Sequence, residues 1–164
     1  MSSIKKFSVL LVMLCTAFAA LEIMAQPQQG GQRAPQLPIE EQAEIYRNAV
    51  FEAINYQYGV LNGMSRGQIE EDDARFAKAA NDMNALAGMV MEGFVIGSPE
   101  YPGLTTDAVW EDSEEFFELV VDFQEKAAAL AAVADQGVSA TQDEVNTLRQ
   151  TCGGCHRNYR ERVQ

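Results

Sequence analysis

Four stretches of this chain have apolar residues that recur at steps of three and four. That period places the apolar residues along one face of an α-helix, whereas a half-buried strand would need strict alternation. The stretches cover approximately residues 39–61, 71–94, 113–134 and 141–160. No alternating or βαβ pattern competes with them, and the connections are short. The sequence therefore predicts an all-α protein, an antiparallel four-helix bundle.

Local signals predict where these helices begin and end. Gly63 and Gly67 are expected to end the first helix, and a segment punctuated by Gly and Pro over residues 97–103 follows the second. Thr141, with Glu144 three residues later, predicts a capping box at the start of the fourth helix.

The N-terminal residues 1–25 have the composition of a secretory signal peptide: a short basic start, an apolar stretch from Phe7 to Leu21, and a small-residue end. The apolar stretch is shorter than the ~20 residues that a spanning helix needs, and Glu22 interrupts it. We therefore favour cleavage over a retained membrane anchor. Lipid attachment at Cys15 is a further alternative.

Residues 26–38 are rich in Gln, Gly and Pro and are expected to form a flexible leader, so that the folded domain covers residues 39–164. The chain carries a formal net charge of −12. A field of this sign repels nucleic acid and anionic lipid and would attract basic partners. A surface that merely keeps the protein soluble explains the same charge.

The predicted fourth helix carries the run Cys152-Gly153-Gly154-Cys155-His156. In a C-x-x-C-H motif the two thiols can bond covalently to haem vinyl groups while the imidazole ligates the iron. On a helix, steps of three and four bring these side chains to one face. The motif therefore predicts one covalently attached haem c per chain. Since His156 is the chain's single histidine, any second axial ligand must be of another residue type.

The same residues have three other interpretations. A disulfide between Cys152 and Cys155 is geometrically awkward at this spacing on a helix. A zinc site would need a fourth ligand besides two Cys and one His. A redox dithiol usually accompanies a thioredoxin-type βαβ pattern, which this sequence lacks. The histidine that directly follows Cys155 favours haem attachment.

Longer motifs extend the pattern beyond these five residues. Residues 152–160 match C-x-x-C-H-x-x-Y-R, Tyr46-Arg47-Asn48 lies on the first helix, and Trp110 precedes the third. From about Glu41 to Arg160 the chain resembles the cytochrome c prime family, the class II c-type cytochromes. The resemblance implies thioether bonds to Cys152 and Cys155 and axial ligation by His156.

The resemblance also implies roles for five further residues. Arg47 and Asn48 would lie beside the haem propionates, although the family more often has Gln where Asn48 stands. Phe51 would overhang the sixth coordination position of the iron. Arg160 would flank the proximal histidine, and the loop around Glu100 would contact the haem edge.

Each of these roles has a simpler alternative. Phe51 lies on an apolar stripe and could be an ordinary core residue, in which case Val50 or Ile54 could face the iron. Arg47 and Arg160 could be solvated surface charges.

The sixth ligand decides the predicted function, because an open position favours gas binding and a filled one favours electron transfer. No Met occurs between residues 39 and 63, and Met64, Met83, Met89 and Met91 are expected to serve in packing. We predict a periplasmic, five-coordinate high-spin haem protein that binds NO and CO, with NO scavenging as its role and with one-electron redox change.

The alternative is a six-coordinate cytochrome that exchanges electrons with a periplasmic partner. An enzyme is not expected, because no distal acid or base is evident in the sequence. The resemblance implies a homodimer through the first two helices. Tyr56 and Tyr58 are expected to be exposed and to contribute to that interface.

Overall fold

The computed structural model describes residues 36–94 and 98–162. The predicted signal peptide and residues 26–35 of the predicted leader lie outside the described residues. The four predicted helices are confirmed, and a short additional helix precedes the third. We label the helices α1 (Ile39–Ser65), α2 (Asp73–Met89), α3 (Ala108–Glu111), α4 (Ser113–Val133) and α5 (Gln142–Tyr159).

The four long helices form the predicted antiparallel bundle. α1 packs against α2, α2 against α4, and α4 against α5. The apolar faces predicted from the sequence meet in one core, whose largest fully buried side chains include Leu61, Met64, Phe76, Met83, Leu130 and Leu148. Within the described ranges, no helix is long and apolar enough to cross a membrane.

The first helix runs one turn further than predicted, because only one of the two candidate glycines ends it. Gly63 remains helical, whereas Gly67 has a φ of +65°. The Gln68 amide donates to the Gly63 carbonyl at 2.8 Å, and the Gly67 amide donates to the Met64 carbonyl at 2.9 Å. This is a Schellman motif, which needs a left-handed residue at the position that Gly67 occupies.

The capping box predicted at the start of α5 is wrong. The buried Thr141 hydroxyl instead donates backwards to the carbonyls of Gly137 and Val138, at 3.0 and 3.3 Å. The cause is a 3₁₀ turn over Val138–Thr141, which brings those carbonyls within reach of the hydroxyl. The Val138 amide donates to the Asp73 carboxylate at 3.1 Å, so the start of α2 anchors the α4–α5 connection.

The segment between α2 and α4 returns to the far end of α5. In the described part of the chain, the pairing of Thr105 with Arg160 is an isolated antiparallel bridge rather than part of a strand. It lies directly beyond Tyr159, the last residue of α5. The bridge thus joins this connecting segment to the helix that carries the C-x-x-C-H motif.

Candidate cofactor site

The face of α5 that carries the motif lines a cleft of about 450 Å³. Cys152, Cys155 and His156 all contribute to its lining, as the helical spacing predicted. The remaining walls come from α1, α4 and the chain around residues 90–94 and 104–105. Sites for small molecules and cofactors typically have volumes of about 300–1,000 Å³. The cleft is therefore large enough to hold a cofactor beside the motif.

Aromatic side chains form much of the apolar lining. The ring of Phe51 lies 6.5 Å from that of Phe94, centroid to centroid, and Phe94 lies 4.7 Å from Phe116. Phe116 in turn lies 5.3 Å from Tyr159 on α5. These edge-on contacts are a favourable geometry for aromatic pairs. They connect α1, α4 and α5 across the cleft.

Partial burial shifts the pKa of each of the three motif side chains. It lowers the pKa of His156, and the neighbouring Arg160 cation lowers it further. Both effects favour the neutral imidazole, which is the form that ligates a metal. Burial raises the pKa of Cys155 to about 11, with a smaller contribution from Cys152, whose own pKa is also raised by burial. The two thiols are not joined in a disulfide.

The residues present fit a covalently attached haem. Two protonated thiols and a neutral imidazole project from one helix into a mainly apolar cleft, and polar residues such as Asn48, Arg149 and Arg160 lie in the same lining. In the described residues, no group of three or more His, Cys, Asp or Glu side chains is placed to hold a metal ion by itself. The donor set suits a macrocycle that brings its own iron better than a bare zinc ion.

Three of the other predicted site residues also line the cleft: Asn48, Phe51 and Arg160. Phe51 is 39% exposed, while Val50 and Ile54 on the same helix are 5% and 8% exposed. Val50 faces the core and does not line the cleft, whereas Ile54 does. The structure therefore favours Phe51 over Val50 as the residue that faces the site. The Asn48 amide donates to the Glu44 carboxylate at 3.3 Å.

Arg47 is buried, with 3% of its surface exposed, so the alternative of a solvated surface charge is wrong. Its guanidinium donates to the carbonyl of Gly93 at 2.8 Å and to that of Tyr101. It also lies over the rings of Phe94 and Trp110, 5.4 and 5.9 Å from their centroids. Arg47 does not line the cleft, but it holds both ends of the chain segment that follows α2.

The environment of this buried cation is unusual. Among the described residues, no carboxylate oxygen lies within 4.0 Å of the guanidinium. Desolvation lowers its pKa, and the more distant Glu44 only partly opposes that effect. A guanidinium has five N–H donors, of which the two carbonyl bonds use two. Among the described residues, the remaining donors of Arg47 have no hydrogen-bond partner, and a guanidinium of this kind suits an anionic group.

A small residue is required where Arg47 meets the chain after α2. A Cβ on Gly93 would overlap the Cγ of Arg47. Glu100, which was expected at the haem edge, is exposed in the 3₁₀ turn Ser98–Glu100 and does not line the cleft.

Sequence reasoning missed several lining residues, among them Glu52, Asn55, Tyr58, Phe94 and Arg149. Those on α1 could have been found, because Asn48, Phe51, Asn55 and Tyr58 recur at steps of three and four. Tyr58 was expected on the exposed surface, but it is partly buried in the cleft. The second helix was predicted to continue to Phe94, but α2 ends at Met89 and a 3₁₀ turn over Val90–Gly93 follows. No local pattern indicates that the Phe94 ring lies beside Arg47.

A bundle of four long helices whose last helix carries C-x-x-C-H beside an apolar cleft defines a haem protein of the class II cytochrome type. The family model for cytochrome c′ matches residues 42–160. The chain belongs to the cytochrome c′ family.

Individual relatives support this assignment. Cytochrome c′ of Halomonas halodenitrificans is 35% identical over 127 residues, which cover 73% of this chain and 96% of the relative. The solved cytochrome c prime of Shewanella frigidimarina is 30% identical, with a TM-score of 0.71 over 77% of this chain and all of that one. A nitric oxide complex of a mutant cytochrome c prime from Alcaligenes xylosoxidans has the same fold at 22% identity, with a TM-score of 0.70 over 78% of this chain and 100% of that one.

Proposed function

We propose that this protein is an exported, periplasmic cytochrome c′ that carries one haem c per chain and binds NO and CO, with NO scavenging as its role. Cys152 and Cys155 would anchor the haem and His156 would be its axial ligand. The bound haem supplies an iron that can change its charge by one electron and can take a diatomic ligand where a coordination position is open. We infer a binding and electron-transfer protein rather than an enzyme.

The lining of the cleft carries the five-coordinate part of this proposal. His156 is the sole histidine, and none of the four methionines in the described residues lines the cleft. Met64 and Met83 are buried in the core, and Met89 is exposed on α2. Phe51, in contrast, borders the cleft and offers neither a donor nor a lone pair. A ring of this kind over the iron would leave room for small diatomic ligands and would itself give no hydrogen bond to bound dioxygen.

Polar residues of α1 would hold the acidic edge of the haem. Asn48 lines the cleft, whereas its neighbour Arg47 is buried beside it in the chain and, among the described residues, uses two of its five N–H donors and has no carboxylate partner. A guanidinium suits carboxylates because it can donate two parallel hydrogen bonds. We therefore propose that Arg47 and Asn48 receive the propionates, and that Arg160 stabilises charge on the His156 side.

Electron exchange with a basic protein is the second candidate, favoured by the charge on and before α4. Eight acidic residues and no basic one occur between Asp107 and Glu125. Phe117 and Val121 are exposed on the same helix, at 37% and 49%. An apolar centre with a charged rim is the usual anatomy of a protein interface. This candidate requires a filled sixth coordination position for fast exchange.

Absorption and resonance Raman spectra of the haem-loaded protein separate the two candidates. We expect high-spin, five-coordinate iron in both oxidation states and spectral changes on adding NO and CO to the ferrous form. A low-spin spectrum that neither gas alters would reject the gas-binding proposal and favour electron exchange.

We also propose that the protein forms a homodimer through α1 and α2. Ile39, Ile45 and Tyr56 on α1 are 60%, 52% and 64% exposed, which leaves apolar surface for a second copy. Sedimentation velocity of the haem-loaded protein is expected to show a dimer at micromolar concentration, and Tyr56→Glu is expected to shift it towards monomer. A monomer at every concentration would refute the proposal.

A further inference from the structure

The last turn of α5 is held by the chain segment Leu104–Thr106. The Thr106 hydroxyl donates to the carbonyl of Asn158 at 2.8 Å, and the Thr106 amide donates to the carbonyl of Tyr159 at 3.3 Å. In the opposite direction, the Glu161 amide donates to the carbonyl of Leu104 at 2.8 Å. Three hydrogen bonds therefore join this segment to the end of the helix that carries His156.

These bonds replace an ordinary helix C-cap. The last four carbonyls of an α-helix have no partner within the helix, and many helices satisfy them with a left-handed glycine. At the end of α5 the C-cap residue is instead Arg160, whose backbone is extended, with φ −125° and ψ 129°. Thr106 supplies partners for two of the orphan carbonyls. The direction of the chain beyond Tyr159, and with it the position of Arg160, therefore depends on this contact.

The same segment forms part of the cofactor cleft. Leu104 and Thr105 line it together with His156 and Arg160. Thr105 pairs with Arg160 in the isolated bridge. Thr106 itself does not line the cleft. Its hydrogen bonds to α5 therefore affect the cleft through the residues that they hold in place, which are Leu104, Thr105 and Arg160.

We propose that Thr106 is a positioning residue for the His156 side of the site: its hydroxyl holds Leu104, Thr105 and Arg160 as a wall next to the imidazole. This inference rests on the proposed ligation of the iron by His156. Such a wall would limit the space in which the imidazole can turn. Thr106 would therefore influence the strength of the axial bond without touching the haem.

The test compares Thr106→Val, which lacks the hydroxyl, with Thr106→Ser, which retains it. Thr147→Val is the matched control, because the Thr147 hydroxyl donates to the Asp143 carbonyl at the same distance, 2.8 Å, and Thr147 does not line the cleft. All variants are studied as haem-loaded full chains. Thr106→Ala, which also lacks the hydroxyl, provides a second variant should the valine protein fail to fold.

Two measurements are needed. In Thr106→Val, hydrogen exchange at the Glu161 amide is expected to accelerate by roughly two- to tenfold. This is the factor that corresponds to the loss of one hydrogen bond. The iron–histidine stretching band of the ferrous protein is expected to shift or broaden. Thr106→Ser and Thr147→Val should retain wild-type values in both measurements.

An unchanged exchange rate at Glu161 would show that the hydroxyl does not hold the wall. Faster exchange with an unaltered iron–histidine band would show a purely structural contact. Either result overturns the proposal. Absence of that band from the wild-type protein would instead reject five-coordinate iron, and the ring resonances of His156 would then replace it as the second measurement.

Discussion

Replacing Phe51 with alanine is expected to raise the association rate constant of CO with the ferrous, haem-loaded protein by about ten- to one hundredfold. In the proposed arrangement, with Phe51 over the sixth coordination position, an incoming diatomic ligand would have to displace its ring, which borders the cleft and packs against Phe94. Forcing extra atoms into a packed apolar site costs about 1–3 kcal/mol, and each 1.36 kcal/mol changes a rate tenfold. Flash photolysis or stopped-flow mixing measures this constant directly.

Phe117→Ala is the matched control for this experiment. Phe117 is 37% exposed, close to the 39% of Phe51, but it does not line the cleft. Its removal deletes the same number of atoms from a similarly exposed place and should leave the CO rate unchanged. If Phe51→Ala and Phe117→Ala behave alike, Phe51 is not the residue over the sixth coordination position.

Replacing Arg47 with leucine is expected to lower the free energy of unfolding by about 2–4 kcal/mol. The change leaves the carbonyls of Gly93 and Tyr101 without their donor, and an unsatisfied buried polar group costs about 1–3 kcal/mol. It also removes the contacts with the rings of Phe94 and Trp110. Relief from burying the cation offsets part of this loss. Urea unfolding of the haem-loaded protein measures the difference.

Two further variants show whether geometry or charge is responsible. Arg47→Lys retains the charge, but a single ammonium lacks the planar fork that spans two carbonyls, so a loss of about 1–3 kcal/mol remains expected. Arg75→Leu removes an exposed arginine of α2 and should change stability by less than ~0.5 kcal/mol. Equal unfolding midpoints for Arg47→Leu and Arg75→Leu would contradict the role assigned to Arg47.

Local pattern determined most of the fold. The start of α1 at Ile39 and of α4 at Ser113 were predicted from the apolar period and the turn residues. The predicted helix ends were wrong where the end of a helix depends on one specific hydrogen bond or backbone conformation. The Thr141 hydroxyl bonds to a 3₁₀ turn instead of capping α5, and Gly63 continues a helix that Gly67 ends. Helical periodicity reports which face is apolar, but not which way a single hydroxyl donates.

The candidate site likewise has one part that the sequence predicts and another that it does not. Cys152, Cys155 and His156 lie on one face because their spacing matches the helical repeat, so the sequence by itself predicted that these three side chains line one cleft. Arg47 shows the limit of that reasoning. A charged residue on an exposed-looking helix position is usually solvated, yet Arg47 is buried because carbonyls from beyond α2 receive its donors.

The sequence by itself determined four helices, a haem-attachment motif on one face of the last, and the absence of a second histidine ligand, because each depends on residues a few positions apart. Only the tertiary structure decided that Phe51 rather than Val50 borders the cleft, that Arg47 holds the chain after α2, and that Thr106 holds the end of α5. Arg47 lies 46 residues from Gly93, and Thr106 lies 52 from Asn158. Contacts over such separations depend on how the helices rotate and cross when their apolar faces pack together, which no local pattern encodes.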